Sequence, residues 1–130
     1  MNPFLVTLLL AAAPITPASL KAYKGPDGER VVVVRLAAPN EKDAFVQVSG
    51  TDSALDGKTL KVEAAQPGDS DDLATYDLVK GRYVVLTRRG DVWSIHLPAP
   101  KNRSVSLKYD DALTRESNAD AVIKAYKPKL

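Results

Sequence analysis

The sequence predicts a mainly β protein, an antiparallel β-sandwich or barrel of about seven short strands with one C-terminal α-helix. Three observations carry that prediction. Runs rich in valine, isoleucine and aromatic residues recur at roughly ten-residue spacing. Turn signals separate them, among them Gly25-Pro26-Asp27-Gly28, Asp56-Gly57, Lys80-Gly81 and Arg89-Gly90. Helical spacing of apolar residues is found in one place, near the C-terminus.

The N-terminal segment stands apart. Phe4 to Ala13 (FLVTLLLAAA) is an uncharged run of ten residues, followed by Pro14, Pro17 and the small-residue tripeptide Thr16-Pro17-Ala18. An apolar core ahead of a small-residue site is the pattern of a secretory signal peptide, here 1–18, although Met1-Asn2-Pro3 supplies no Lys or Arg. As a helix the run would rise only about 15 Å, half of a bilayer's hydrocarbon thickness, so no transmembrane span is expected. The following residues, 19–130, are enough for a single domain. The chain has no cysteine to cross-link that domain or to carry a lipid. The expected location is periplasmic or secreted.

Residues 19–29 form a lead-in to the first strand. Arg30 to Leu36 holds four consecutive valines, β-branched residues that favour extended backbone, and valine on both faces implies a strand buried on both sides. Ala44 to Ser49 is the second strand. Lys58 to Ala64 alternates, with Leu60, Val62 and Ala64 inward and Thr59, Lys61 and Glu63 outward. After the polar loop Gln66 to Asp72, Leu73 to Val79 places Ala74, Tyr76 and Leu78 on one face. Arg82 to Arg88 follows; its alternation does not choose between Tyr83, Val85 and Thr87 on one face and Arg82, Val84, Leu86 and Arg88 on the other. Asp91 to Leu97 puts Trp93, Ile95 and Leu97 inward, with Ser94 and His96 outward. Arg103 to Tyr109 puts Val105, Leu107 and Tyr109 inward. By this phase Trp93, Tyr76 and Tyr109 belong to the core. The final segment, about 117–127, spaces Val122, Ile123 and Tyr126 for a helix, with Ser117 or Asn118 as its cap and Pro128 as its stop. Such a helix should cover an open end or edge of the sheet through Val122 and Tyr126.

Charge is unevenly distributed although the formal net charge is only +2. Glu41 to Val79 contains nine acids and three lysines, a net of −6, while Lys80 to Lys108 contains seven bases and Asp91 alone, a net of +6. Two arrangements follow: the stretches neutralise each other on neighbouring strands, which is the favoured one, or the basic stretch presents a face to an anionic partner. In the second, the binding residues are Arg82, Arg88, Arg89, Lys101, Arg103 and Lys108.

Residue types for familiar chemistry are sparse. With one histidine, His96, and no cysteine, no ordinary zinc or copper site assembles, and no metal or cofactor is expected. His96 shares its outward face with Ser94, Ser104 and Ser106, but no nucleophile elbow accompanies them. Asp69-Ser70-Asp71-Asp72 offers three carboxylates, short of the six to eight oxygens calcium takes. Arg89-Gly90-Asp91 is explained by a hairpin turn that requires glycine. There is no phosphate-cradling glycine loop or dinucleotide fingerprint, and nothing indicates a nucleic-acid partner. The sequence therefore points to a small exported, non-catalytic binding or accessory module whose partner is a protein or an anionic cell-envelope component. The competing expectation is a small hydrolase of envelope polysaccharide working through carboxylates such as Asp72 and Asp77. A glycosidase pair would then stand about 5 to 9.5 Å apart.

Overall fold

The computed structural model describes residues 15–63, 70–78, 81–98 and 102–127. Its strands are β1 (Pro17–Lys24), β2 (Arg30–Leu36), β3 (Asp43–Ser49), β4 (Lys58–Glu63), β5 (Ser70–Leu78), β6 (Gly81–Arg89), β7 (Val92–Leu97) and β8 (Arg103–Tyr109). Each pairs antiparallel with the next. The meander closes into a barrel where Tyr23 and Lys24 of β1 lie opposite Tyr109 and Lys108 of β8. Of sandwich and barrel, the chain forms the barrel, which removes the edge strands a small sheet must otherwise protect.

Eight strands make a barrel about wide enough for side chains to fill its interior. Here Val31, Val33, Val46, Val48, Leu60, Val62, Leu73, Ile95 and Leu97 fill it. Thr59, Lys61 and Glu63 point outward, the reverse of a membrane-spanning barrel, which is apolar outside and polar within. No helix among the described residues is long and apolar enough to cross a membrane.

The valine run of β2 serves two layers. Val31 and Val33 face the barrel interior, whereas Val32 and Val34 join Ala22, Leu36 and Phe45 in a second cluster on the outer surface. Two short helices cover it, α1 (Asp111–Glu116) and α2 (Ala119–Ala125), with Val122 buried against the strands. Burying a valine contributes roughly 1.5 to 2 kcal/mol, so the outer apolar face of β1 to β3 is stable only because this cover exists. Tyr126 packs on Phe45 with ring centroids 5.2 Å apart and donates a hydrogen bond to Asp77 Oδ1 at 3.0 Å.

The structure corrects several details of the sequence reading. The lead-in contains an eighth strand, β1, whose alternation is weak because Ser19 and Lys21 occupy interior-phase positions at the open end of the barrel. The expected single helix is two. Asp110 caps the first through Leu113 N–H at 2.8 Å, and Asn118 caps the second through Ala121 N–H at 3.0 Å. The helices lie on the barrel wall, not over an open end. Tyr76 and Tyr109 are not core residues; each is 52 % exposed. On β5 Asp71, Leu73 and Thr75 hold the buried phase, which leaves Tyr76 on the outward one, and Tyr109 reaches the rim where β8 ends. A register shift between Leu73 and Ala74 leaves Val85 as an extra residue on β6, since Leu73 opposes Leu86 while Ala74 opposes Val84. Both Val85 and Leu86 are then buried, Arg88 turns inward and Arg82 stays exposed. Arg82 and Arg88 do not share a face.

Candidate functional site

One end of the barrel is a mouth formed by the start of β1, the end of β2, the start of β5, the β6–β7 hairpin and the end of β8. The hairpin turns at Gly90 with φ of 65°, a left-handed conformation that favours glycine. Beside the hairpin runs a groove of about 1190 Å³, walled by Lys21, Tyr23, Lys24, Arg88, Trp93 and Tyr109 among others. It exists because β8 pairs with β1 over two residues only, leaving the first half of β1 without a β8 neighbour. Of the four large hydrophobics exposed among the described residues, two, Val92 and Tyr109, line it.

A narrower pocket of about 240 Å³ continues the groove inward and shares Lys21, Tyr23, Arg88 and Trp93 with it. Ser19, Val33 and Arg35 complete its wall. Behind it lies Asp71, 5 % exposed. Arg88 donates to Asp71 Oδ2 from Nε at 3.3 Å and Nη2 at 3.2 Å, and Arg35 Nη2 stands 4.0 Å from the same oxygen. Asp71 Oδ1 makes no hydrogen bond among the described residues. The carboxylate therefore holds Arg88 tightly and Arg35 loosely, and among the described residues Lys21 has no ion pair at all.

The aromatic wall is coupled to this charge. Tyr23 packs against Trp93 at 5.8 Å and edge-on against Tyr109 at 6.0 Å, while Arg88 Cζ lies 6.0 Å from the centre of the Trp93 ring. Burial pushes the Tyr23 phenol above its ordinary pKa, and the positive field of Arg35 offsets part of that rise. The phenol is thus neutral at physiological pH. The mouth presents cations and rings; Asp71 is held behind them, and Asp91 and Asp110 also line the groove, with Asp110 Oδ2 3.7 Å from Lys24 Nζ.

The six basic residues singled out in the sequence do not form one patch. Arg88 turns into the mouth and Lys108 lines the groove. Arg89 pairs outward with Asp72 at 3.0 Å. Arg103 lies at the other end of the barrel, 3.5 Å from the buried Glu29 and 3.2 Å from Asp52. Arg82 is exposed, and Lys101 falls outside the described residues. Arg88, Arg89 and Arg103 are thus matched by acids, two of them across the β5–β6 ladder, as the neutralising arrangement requires. Lys21, Lys24, Arg35, Tyr23 and the groove itself escaped sequence reasoning. Lys21 and Lys24 lay in the presumed lead-in, and nothing local marks Arg35 as facing inward.

The other candidates are accounted for by the fold. His96 Nε2 bonds Thr87 Oγ1 at 2.9 Å and Nδ1 bonds Ser104 Oγ at 2.7 Å, a polar ladder across the outer faces of β6, β7 and β8 with no acid in it. Asp71 and Asp72 open β5 and engage arginines, so they do not wrap a cation, and Asp69 lies outside the described residues. Among the described residues no group of three His, Cys, Asp or Glu could hold a metal ion. Asp72 and Asp77 are five residues apart on β5, roughly 16 Å in extended chain, beyond a glycosidase separation. Asp77 instead accepts from Lys61 N–H at 3.0 Å and from Tyr126. No protein-family model, curated protein or solved structure matches this chain.

Proposed function

We propose that this protein is an exported, non-catalytic binding module that takes an anionic partner at the basic, aromatic groove of its barrel mouth. The observation that carries the reading is the groove's composition. Lys21 and Lys108, which make no ion pair among the described residues, and Lys24, paired with Asp110 at 3.7 Å, stand beside exposed Tyr109 and Val92, in a chain whose arginines are largely neutralised by acids. Cations left near apolar surface attract anions and order them more effectively than the same charges spread over a wet face. Export rests on the apolar run Phe4 to Ala13 and the tripeptide ending at Ala18. The β1–β2 ladder is irregular between Pro17 and Ser19 and regular from Ser19 onward, so cleavage after Ala18 would leave the regular ladder intact.

The test has two parts. The mass of the exported protein should lack residues 1–18; retention of Met1 to Ala18 removes the export half. Capture of anionic components from envelope extract should fall with rising salt. It should fall strongly in the double variant Lys24→Gln, Lys108→Gln, whose thermal melt should stay close to that of the parent because both side chains are exposed and the Lys24–Asp110 pair at 3.7 Å is worth about 0 to 1 kcal/mol. Unchanged capture by that variant removes the binding half.

A further inference from the structure

We infer that the narrow pocket behind the groove is the head-group site for a small aromatic carboxylate. Its carboxylate would be gripped by Arg35 and Lys21, and its ring would lie against Trp93 and Tyr109. The inference deepens the proposed function and rests on the groove being a binding site. Three features on opposite walls converge on it.

First, the cations are unequally engaged. Arg88 gives two hydrogen bonds to Asp71, whereas Arg35 makes none among the described residues and its nearest carboxylate oxygen is 4.0 Å away. Lys21, across the pocket on β1, has no anionic partner among the described residues. A planar guanidinium with free donors is suited to bidentate capture of a carboxylate, and an ammonium beside it adds a third donor. Second, Asp71 neutralises Arg88, so Arg35 and Lys21 remain as the two cations that an anion entering the pocket would meet. Third, the pocket opens into the groove past Trp93, so an anion at Arg35 and Lys21 would project its body along the aromatic wall. Flat rings offer the stacked or edge-on contacts that Tyr23, Trp93 and Tyr109 already make with one another.

Trp93 is the one tryptophan in the chain, so intrinsic emission reads this site directly. The full chain is titrated with phenylacetate, phenylacetamide and acetate, following Trp93 emission and the heat of binding. Phenylacetate should saturate, with the amide and acetate each roughly tenfold weaker or more, the loss of one charge-assisted interaction or of the ring contact. Arg35→Met and Lys21→Met should each weaken phenylacetate, and Arg82→Met, on an exposed outward position, should leave it unchanged. Lys21 is exposed, so Lys21→Met retains the fold and keeps the test decisive if Arg35→Met does not fold. Equal binding of amide and acid, equal binding of acetate and phenylacetate, or indifference to Lys21→Met would each overturn the inference. Loss of phenylacetate binding with intact capture dependent on Lys24 and Lys108 removes the head-group site alone. The converse removes only the macromolecular partner.

Discussion

Replacing Asp71 by alanine should destabilise the barrel far more than replacing its neighbour Asp72, although each is ion-paired with an arginine of β6. Asp72 is 47 % exposed in its side chain and meets Arg89, itself 60 % exposed, so water solvates both whether or not they touch. Such pairs are worth about 0 to 1 kcal/mol. Asp71 is 5 % exposed, receives two hydrogen bonds from Arg88, and has Arg35 at 4.0 Å. Removing one partner of a buried pair costs about 3 to 5 kcal/mol, since the arginines keep their desolvation penalty without their counter-ion. Arg88 and Arg35 retain 20 % and 32 % exposure and can partly rehydrate, which places the expected loss near the lower bound, about 3 kcal/mol. That is a sizeable fraction of the roughly 5 to 15 kcal/mol that holds a domain folded. Urea denaturation followed by far-ultraviolet circular dichroism measures it, because Trp93 emission responds directly to Arg88. Adding Arg88→Met to an Asp71→Leu background should recover part of the loss, as an apolar pair replaces a charge left alone. If the two alanine variants differ by less than about 1 kcal/mol, burial does not decide the worth of these pairs and the reasoning fails.

Other perturbations test separate parts of the fold. Burial raises the pKa values of Tyr23, Tyr83 and Tyr126 above 10.0, so the folded protein holds these protons more tightly than the unfolded chain. Their contribution is complete below about pH 10 and is lost as pH rises through the folded values; Tyr23→Phe should flatten this alkaline decline, and an unchanged slope in pH-dependent melts would refute it. Gly50→Ala should cost clearly more than Gly57→Ala: both have φ near +75°, but a Cβ on Gly50 would lie 2.3 Å from the Gly28 carbonyl oxygen while one on Gly57 meets nothing within 4 Å. Gly57→Ala isolates the backbone strain of about 1 to 2 kcal/mol, and equal costs in denaturant titrations would remove the steric argument. Val122→Ala should lose about 2 kcal/mol by thinning the layer between α2 and the strands; a loss under about 0.5 kcal/mol would show that the helices do not stabilise the barrel.

What was legible in the sequence was whatever local chemistry decides. The valines of β2 announced burial on both faces because no other placement removes four adjacent branched side chains from water. Gly90 announced a turn, and its positive φ shows why. Trp93, Ile95 and Leu97 kept their phase because β7 is regular. What failed to show depends on pairing between distant residues. The extra residue at Val85, which turns Arg88 inward, is defined only against Leu73 and Ala74 of the facing strand. β1 looked like a linker because its inward side chains serve the mouth and its outward ones serve the helices, so neither face is uniformly polar. The groove is least local of all. Its walls come from β1, β6, β7 and β8, and no window of sequence contains them together.

The groove and the outer helical layer share one structural cause at Asp110. A continued β8 would have gone on pairing with β1 and sealed the wall. Instead Asp110 N–H makes the last rung to the Ala22 carbonyl at 2.9 Å, and its side chain caps α1 through Leu113 N–H at 2.8 Å. The chain leaves the sheet at that residue. One helical turn further on, Thr114 Oγ1 accepts the Ala22 N–H at 2.9 Å, replacing with a side chain the partner that β8 no longer supplies. Satisfying Ala22 in this way lets β1 end its pairing with β8 without leaving a buried amide unbonded, a loss of about 1 to 3 kcal/mol. Residues 17–21 of β1 then have a neighbour on the β2 side only, and Lys21 is left facing the cavity opposite Arg35. The helix that protects the outer valines thus begins where the barrel wall stops, and the site lies in the gap between them.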